Sequence, residues 1–350
     1  MKAPLVDHIV FAHSGTNVMT NQNTYDKLNR LTGKASWLDF FYQYNAAGRR
    51  AQAELKDGSY WRYGYDGLGQ VTNAVKYFSD GTPWAGQQFD YSFDSIGNRL
   101  STQAGGNSNG ANLRLANYTN NALNQITSRD VPAFVDVMGL TLSTNTVKVN
   151  GTNAYQKWEY FREQIGTNNA SAPQWVGINV TAPGQTAVSG GVFLAQTPEN
   201  FAYDADGNLT SDGRWSYVWD GENRLVSMTS LPGAPPASQY SLSFAYDGLG
   251  RRILKIVSAW NTASNAYVPQ YTNVYVYDGW NLIGVLTPQS SVVASMMWGL
   301  DLSGSLQGAG GVGGLLAENL AGNGAQFVCY DGAGNVSALV SATNGAVTAT

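Results

Sequence analysis

Tyr246-Asp247-Gly248-Leu249-Gly250-Arg251 places an aromatic ring, a short acid and a glycine at fixed offsets, and the same order returns along most of the chain. Further copies begin at Tyr25-Asp26, Tyr44-Asn45, Tyr65-Asp66, Phe93-Asp94, Tyr203-Asp204, Trp219-Asp220, Tyr277-Asp278 and Tyr330-Asp331. Four residues after each aromatic stands Gly or Asn, at Asn29, Gly48, Gly69, Gly97, Gly207, Asn223, Gly250, Asn281 and Gly334. Only a backbone demand restricts a position to those two residue types: both tolerate positive φ, so each is expected to close a tight turn. The Asp or Asn directly after the aromatic accepts hydrogen bonds from the turn's own amides. Together these residues predict a β-hairpin loop.

Aromatics step backwards from each turn at intervals of two, which puts them on one face of a strand. Phe40, Tyr42 and Tyr44 form one stripe; the others are Trp61, Tyr63 and Tyr65; Phe89, Tyr91 and Phe93; Trp215, Tyr217 and Trp219; and Leu242, Phe244 and Tyr246. Alternating runs such as Arg224–Met228 and Arg251–Val257 supply the returning strands. A lone hairpin is marginal in water, so the units must join edge to edge and bury their aromatic faces. The expected fold is all-β: repeat hairpins joined into one continuous sheet that curls or spirals, with core packing rather than ligand contact as the main task of the stripes.

Composition narrows the chemistry. The 350 residues include 40 Gly and 31 Asn, only 13% are charged, and 42 are aromatic, which is a folded, turn-rich chain rather than a disordered one. A net charge of −4 gives no basic footprint for nucleic acid. The single Cys329 excludes an internal disulfide framework and a thiolate zinc site, and only His8 and His13 remain as histidines, expected to be solvated. No apolar run reaches the length of a membrane span, and the first residues carry no signal-peptide core.

The recurring Tyr-Asp-x-x-Gly-Arg/Asn-Leu motif resembles the YD-repeat (RHS-repeat) family over roughly residues 20–130 and 200–350. The segment Trp298-Gly299-Leu300-Asp301-Leu302-Ser303-Gly304, running into the glycine-rich Gln307–Leu316, resembles the stretch that precedes the family's core region. The resemblance implies a spiralling β-sheet shell that encloses a polypeptide, often a C-terminal toxin, in proteins that are secreted or surface-associated. It further implies that this chain is a fragment, because the family's C-terminal core and toxin have no counterpart before Thr350. Tyr118-Thr119-Asn120-Asn121 opens a degraded tenth copy.

Four segments are expected: a lead-in at 1–19, a first repeat block at 20–130, a β-rich insertion at 131–200 and a second repeat block at 201–350. Within the insertion, Asn150-Gly151 predicts a hairpin turn, Gln174–Thr181 alternates like a strand, and Lys157–Ile165 is read as strand over short helix. The formal G-x-G-x-x-G at Gly308–Gly313 lacks the βαβ setting of a dinucleotide site and is read as a turned loop. Asp204, Asp206 and Asp212 resemble part of a calcium loop but lack its terminal bidentate Glu, so turn capping is preferred. Paired carboxylates for glycoside hydrolysis could be sought among Asp39, Glu54, Asp57 and Glu159, whose separations sequence does not give. The expectation is a non-enzymatic shell segment with no cofactor, metal or catalytic residue, its partner an enclosed polypeptide. The rival is a surface module that stacks glycans on exposed Trp and Tyr.

Overall fold

The computed structural model describes residues 5–349, and among them it contains no α-helix, only a single 3-10 turn at Pro236–Ser238. The strands pair antiparallel and fall into four sheets, two large ones of twelve and thirteen strands and two small ones of three and four. In the large sheets each strand lies beside its neighbour in sequence, as short hairpin loops require, except that Ile126–Arg129 pairs with Glu199–Asn200 across the insertion. The chain divides into two compact units and passes between them within strands.

One unit comprises Met1–Tyr63, Ala245–Lys255 and Thr272–Thr350. Its first strands, His8–His13 and Thr16–Tyr25, already form a hairpin ahead of the first repeat turn. Phe11 and Met19 from that hairpin pack against Cys329, Ala338 and Val340, with Leu38, Leu316 and Phe327 around them. Strands from the two ends of the chain therefore share one core. Tyr42 reinforces it: its hydroxyl oxygen accepts the Gly332 amide at 2.6 Å. A Cβ on Gly332 would lie 2.6 Å from the Tyr42 ring, so the two faces meet at a spot only glycine leaves open. Gly332→Val should cost about 1–3 kcal/mol by overpacking, read as a lower urea midpoint with unchanged slope. Cys329 is fully enclosed here, and burial raises its thiol above the usual value.

The other unit comprises Gly64–Phe244 and Ile256–Tyr271. Besides repeat strands it holds the two small sheets. Phe134–Leu140, Tyr160–Gly166 and Tyr155–Lys157 form one; Thr152–Asn153, Lys148–Val149, Gln174–Thr181 and Val188–Leu194 form the other. Val137 and Phe161 from the first meet Val147 and Val149 beside the second, so the two pack face to face. Asn150 and Gly151, at φ 49° and 85°, make the left-handed pair that a two-residue hairpin needs. Residues 157–165 are strand and turn, with Trp158 at φ 53°.

Candidate functional site

Each repeat copy except the one at 277 folds into the same loop. The residue after the aromatic donates its amide to the carbonyl four residues on, and the Gly or Asn donates back to it, as in Asp26–Arg30 (3.0 Å) and Asn29–Asp26 (3.0 Å). Positive φ follows at Asn29, Gly48, Gly69, Gly97, Gly207, Asn223, Gly250 and Gly334. This is a type I turn closed by a left-handed residue. The copy at Tyr277 departs from the pattern: Asp278 pairs directly with Asn281, and Gly279 carries the positive φ of 57°. Gly279 takes the first of two central positions in a tighter two-residue turn, and Asn281 starts the return strand instead of closing the loop, whereas the copies with Gly67, Gly221, Gly248 and Gly332 at the same offset keep the longer loop. The degraded copy keeps the turn, with Asn124 at φ 62° and Asn121 in the acid's role, but Asn120 replaces the aromatic.

The turn acids are spent on their own loops. Asp26, Asp220 and Asp247 each accept two turn amides and the Nε of the arginine four residues on. Asp94, Asp204 and Asp331 do the same with Asn98, Asn208 and Asn335. The Arg30 amide and guanidinium hold the Asp26 carboxyl below the usual range, the Arg224 amide and guanidinium do so for Asp220, and the Asn208 side chain does so for Asp204. A depressed folded pKa stabilises the fold above the ordinary carboxyl value and loses that contribution as pH falls through the lowered one. Stability should thus be flat from neutrality to about pH 4.5 and fall below about pH 4, measured as urea midpoints across that range. Asp220→Asn should make the acid-side fall shallower.

Opposite seven of the repeat aromatics the strand register slips by one residue. Thr24 faces Gly33 but Tyr25 faces Leu31, and the same step occurs at Tyr44, Phe93, Tyr203, Trp219, Tyr277 and Tyr330. A bulge disrupts the ladder there. The aromatic of the next hairpin supplies a donor beside it: Tyr44 Oη to Leu31 O, Trp219 Nε1 to Leu209 O and Trp298 Nε1 to Leu282 O at 2.7 Å, Tyr203 Oη to Ile126 O at 2.9 Å, Tyr277 Oη to Arg252 O at 3.0 Å, and Tyr330 Oη to Leu315 O at 2.7 Å. The aromatic is therefore a rivet as well as packing: ring on the face, polar tip on the preceding bulge. Tyr330→Phe should cost about 1–3 kcal/mol, since it strands a half-buried carbonyl, while Tyr25→Phe should cost less because Tyr25 reaches only the Val6 carbonyl in an exposed setting.

The stripes are mostly half-buried, with Tyr42 fully so. Guanidinium groups lie over several rings: Arg50 over Tyr42 at 3.9 Å, Arg30 over Tyr44 at 4.6 Å, Arg99 over Tyr91 at 4.9 Å and Arg251 over Tyr277 at 5.3 Å. Exposed aromatics are found off the stripes. Trp280, 61% exposed, stands at the tight turn beside Tyr277, Tyr246, Arg251 and Arg252 around an open depression of about 270 Å³.

Trp298 is a repeat aromatic whose turn is replaced by a long glycine-rich loop, and that loop is wound around Asp301. Ser303 donates its amide and hydroxyl to one carboxylate oxygen; the Ala309 amide (2.6 Å) and Gly311 amide (3.1 Å) reach the other. These contacts, the Ser303 hydroxyl foremost, hold Asp301 at about 2. The amides of the G-x-G-x-x-G segment thus embrace an internal anion, and a phosphate has no place in that nest.

The remaining sequence candidates do not converge. His8 and His13 are exposed, His8 beside Asp7. Asp212 turns away from Asp204 to accept Tyr217 Oη at 2.6 Å. Asp39 takes the Ser36 amide and Asp57 the Ser59 amide and hydroxyl, while Glu54 is half-buried and Glu159 exposed. Among the described residues, no group of three His, Cys, Asp or Glu is placed to hold a metal ion, and no helix is long and apolar enough to cross a membrane.

A cavity of about 260 Å³ lies where the insertion meets the repeat strands of its own unit. Thr102, Ala104 and Ala116 form its floor, on the face that carries Phe89 and Tyr91 one strand over. Small residues there interrupt the aromatic stripe and leave the space open. Arg114, Tyr118, Arg129, Asp130 and Phe134 stand around it. Sequence reasoning missed this site because Arg114 and Arg129 lie on the strands that flank the degraded copy, outside its turn, where the motif assigns no role to a charge.

No family model matches the chain. Over 81 residues it is 37% identical to the tRNA nuclease WapA of Bacillus subtilis strain 168, and equally to the tRNA3(Ser)-specific nuclease WapA of Bacillus spizizenii; the match covers 23% of this chain. The chain spans 3% of the length of those relatives. Among solved structures, TcdB2-TccC3 without its hypervariable C-terminal region superposes on 97% of this chain and 17% of that one, at 14% identity and a TM-score of 0.37. That superposition is too loose to bear on function.

Proposed function

We propose that the chain is a non-enzymatic wall segment of a YD-repeat (RHS-repeat) protein, a fragment that serves to enclose or display a polypeptide, often a C-terminal toxin, at or outside the bacterial cell surface. The observation that carries this reading is the riveted hairpin: at Tyr44, Trp219, Trp298 and Tyr330 a unit presents an aromatic face and fixes itself to the carbonyl beside the previous unit's bulge. Such a unit adds to a sheet without limit of number and keeps its acids on its own turn, which suits steric containment. In this reading the 81 residues shared with the WapA nucleases are repeat wall rather than nuclease.

Fractionation of the source cells, probed with an antibody to the 131–200 insertion, should recover the chain outside the cytoplasm. A photo-crosslinker placed at Tyr91 or Tyr217 should trap one discrete polypeptide. Recovery only in the cytoplasm, with nothing trapped, would sink the proposal. Glycan stacking is the second reading, favoured by Trp280 alone, whose exposed ring is flanked by two tyrosines and two arginines. A glycan array with hits lost in Trp280→Ala would favour it; an array without hits would remove it.

A further inference from the structure

We propose that the cavity at the insertion binds a carboxylate carried on a six-membered ring. The proposal goes beyond the wall reading and stands or falls separately from it.

Size comes first. About 260 Å³ exceeds the roughly 150 Å³ that holds a benzene ring and leaves room for one ring with a charged substituent. The floor of Thr102, Ala104 and Ala116 consists of small side chains on one sheet face, and Val131, Pro132, Leu194 and the exposed Phe134 ring add apolar lining. A ring seated there has an apolar surface on one side and Tyr118 at its edge.

Charge comes second. Two guanidinium groups, Arg114 and Arg129, line the cavity against one carboxylate, Asp130. Asp130 is already engaged by the Asn117 amide (3.0 Å) and side chain (2.8 Å) through one oxygen. Arg114 shares its partner: Asp136 also takes Arg162 through Nε at 2.9 Å and Nη2 at 2.6 Å, so one carboxylate serves two cations. Arg114 Nη1 is enclosed without a hydrogen-bond partner. Arg129 meets Glu199 through Nε alone, leaves the rest of its fork toward Tyr118, and its side chain is 41% exposed. Burial works against the Tyr118 phenolate, yet bonds with Thr102, Arg129 and Arg99 outweigh it and hold the phenol below its ordinary value. With Arg99 beside Tyr118 and Arg162 on Asp136, four guanidinium groups meet three carboxylates, Asp130, Asp136 and Glu199, and that one net positive charge beside a ring-sized floor recognises an anion at one end of a ring, with guanidinium geometry favouring a planar carboxylate.

The test is calorimetric titration of the full chain at low ionic strength with methyl glucuronide, benzoate and neutral methyl glucoside. Methyl glucuronide or benzoate should bind at least tenfold more tightly than methyl glucoside. Glucuronide exceeding benzoate assigns the ring to a sugar acid; the reverse assigns it to an aryl acid. Arg129→Gln should weaken the carboxylates at least tenfold, and Ala116→Leu, which fills the floor and keeps every charge, should abolish binding. Circular dichroism of both variants checks that they fold, and a Thr16→Ala control at an exposed position of the other unit should bind normally. Equal binding of the neutral sugar, no binding by any of the three at 10 mM on the order expected for weak single-ring ligands, or full binding by folded Ala116→Leu would each overturn the proposal.

Discussion

Asp136→Ala should destabilise the unit that contains it by about 3–5 kcal/mol, among the largest losses a single substitution can cause here. The Asp136 carboxylate is the hub of a buried triad. Arg162 binds one oxygen through two nitrogens and Arg114 binds the other, with side-chain exposures of 9% and 16% against 13% for Asp136 itself. Removing the hub leaves two cations facing each other with little water to screen them. Triple replacement of Asp136→Leu with Arg162→Met and Arg114→Met should recover part of the loss, because the burial cost of all three charges then disappears along with the attraction. Urea unfolding followed by Trp fluorescence checks both variants. A single-variant loss under about 1 kcal/mol would mean that water reaches the triad and screens it as it screens a surface pair.

That triad shows where sequence reasoning stops. The repeat turns were legible because one backbone demand, positive φ at a fixed offset, restricts the residue type wherever it occurs: Asn29, Gly69 and Gly250 declare themselves by identity alone. The strand faces were legible for the same reason, since period-two aromatics such as Trp215, Tyr217 and Trp219 survive any choice of partner strand. Asp136, Arg114 and Arg162 carry no such mark. Asp136 and Arg162 meet because Phe134–Leu140 pairs with Tyr160–Gly166 across a register that no local residue encodes, and Arg114 reaches Asp136 from Leu113–Asn120 in another sheet. The bulge was hidden too. Leu31, Leu209 and Leu315 look like ordinary strand residues, and only the slipped register makes their carbonyls the targets of the next aromatic. Several turns also lack the aromatic that the motif requires, among them Leu55–Ser59, Asn107–Ala111 and Thr287–Ser291, so a search keyed on the ring passes over hairpins of the same hydrogen-bond pattern. At Tyr277 the opposite occurred: the motif is present, but the positive φ falls on Gly279, two positions before Asn281, and the chain makes a shorter turn.

Phe161→Ala should cost about 3–5 kcal/mol and loosen the small sandwich more than any other truncation in it. The ring is 6% exposed and stands in the cluster of Val137, Val147 and Val149, where the two small sheets meet. Its cross-strand partner is Gly139, and a Cβ at that glycine would lie 2.7 Å from the Phe161 ring. The ring thus lies across the bare backbone and shields a glycine that contributes no packing of its own. Truncation removes the ring's own burial, empties the middle of a thin core and uncovers Gly139 at once. Gly139→Ala alone should also destabilise, by about 1–3 kcal/mol, because the ring has no space to withdraw. Combining Gly139→Ala with Phe161→Ala should therefore cost less than the sum of the two, since the added methyl then fills space instead of clashing. A double-mutant cycle read through hydrogen exchange of the Gln174–Thr181 amides isolates that coupling, because exchange there reports opening of the insertion's two sheets. Strict additivity would mean that the ring does not rest on Gly139, and the packing of this core would need another explanation.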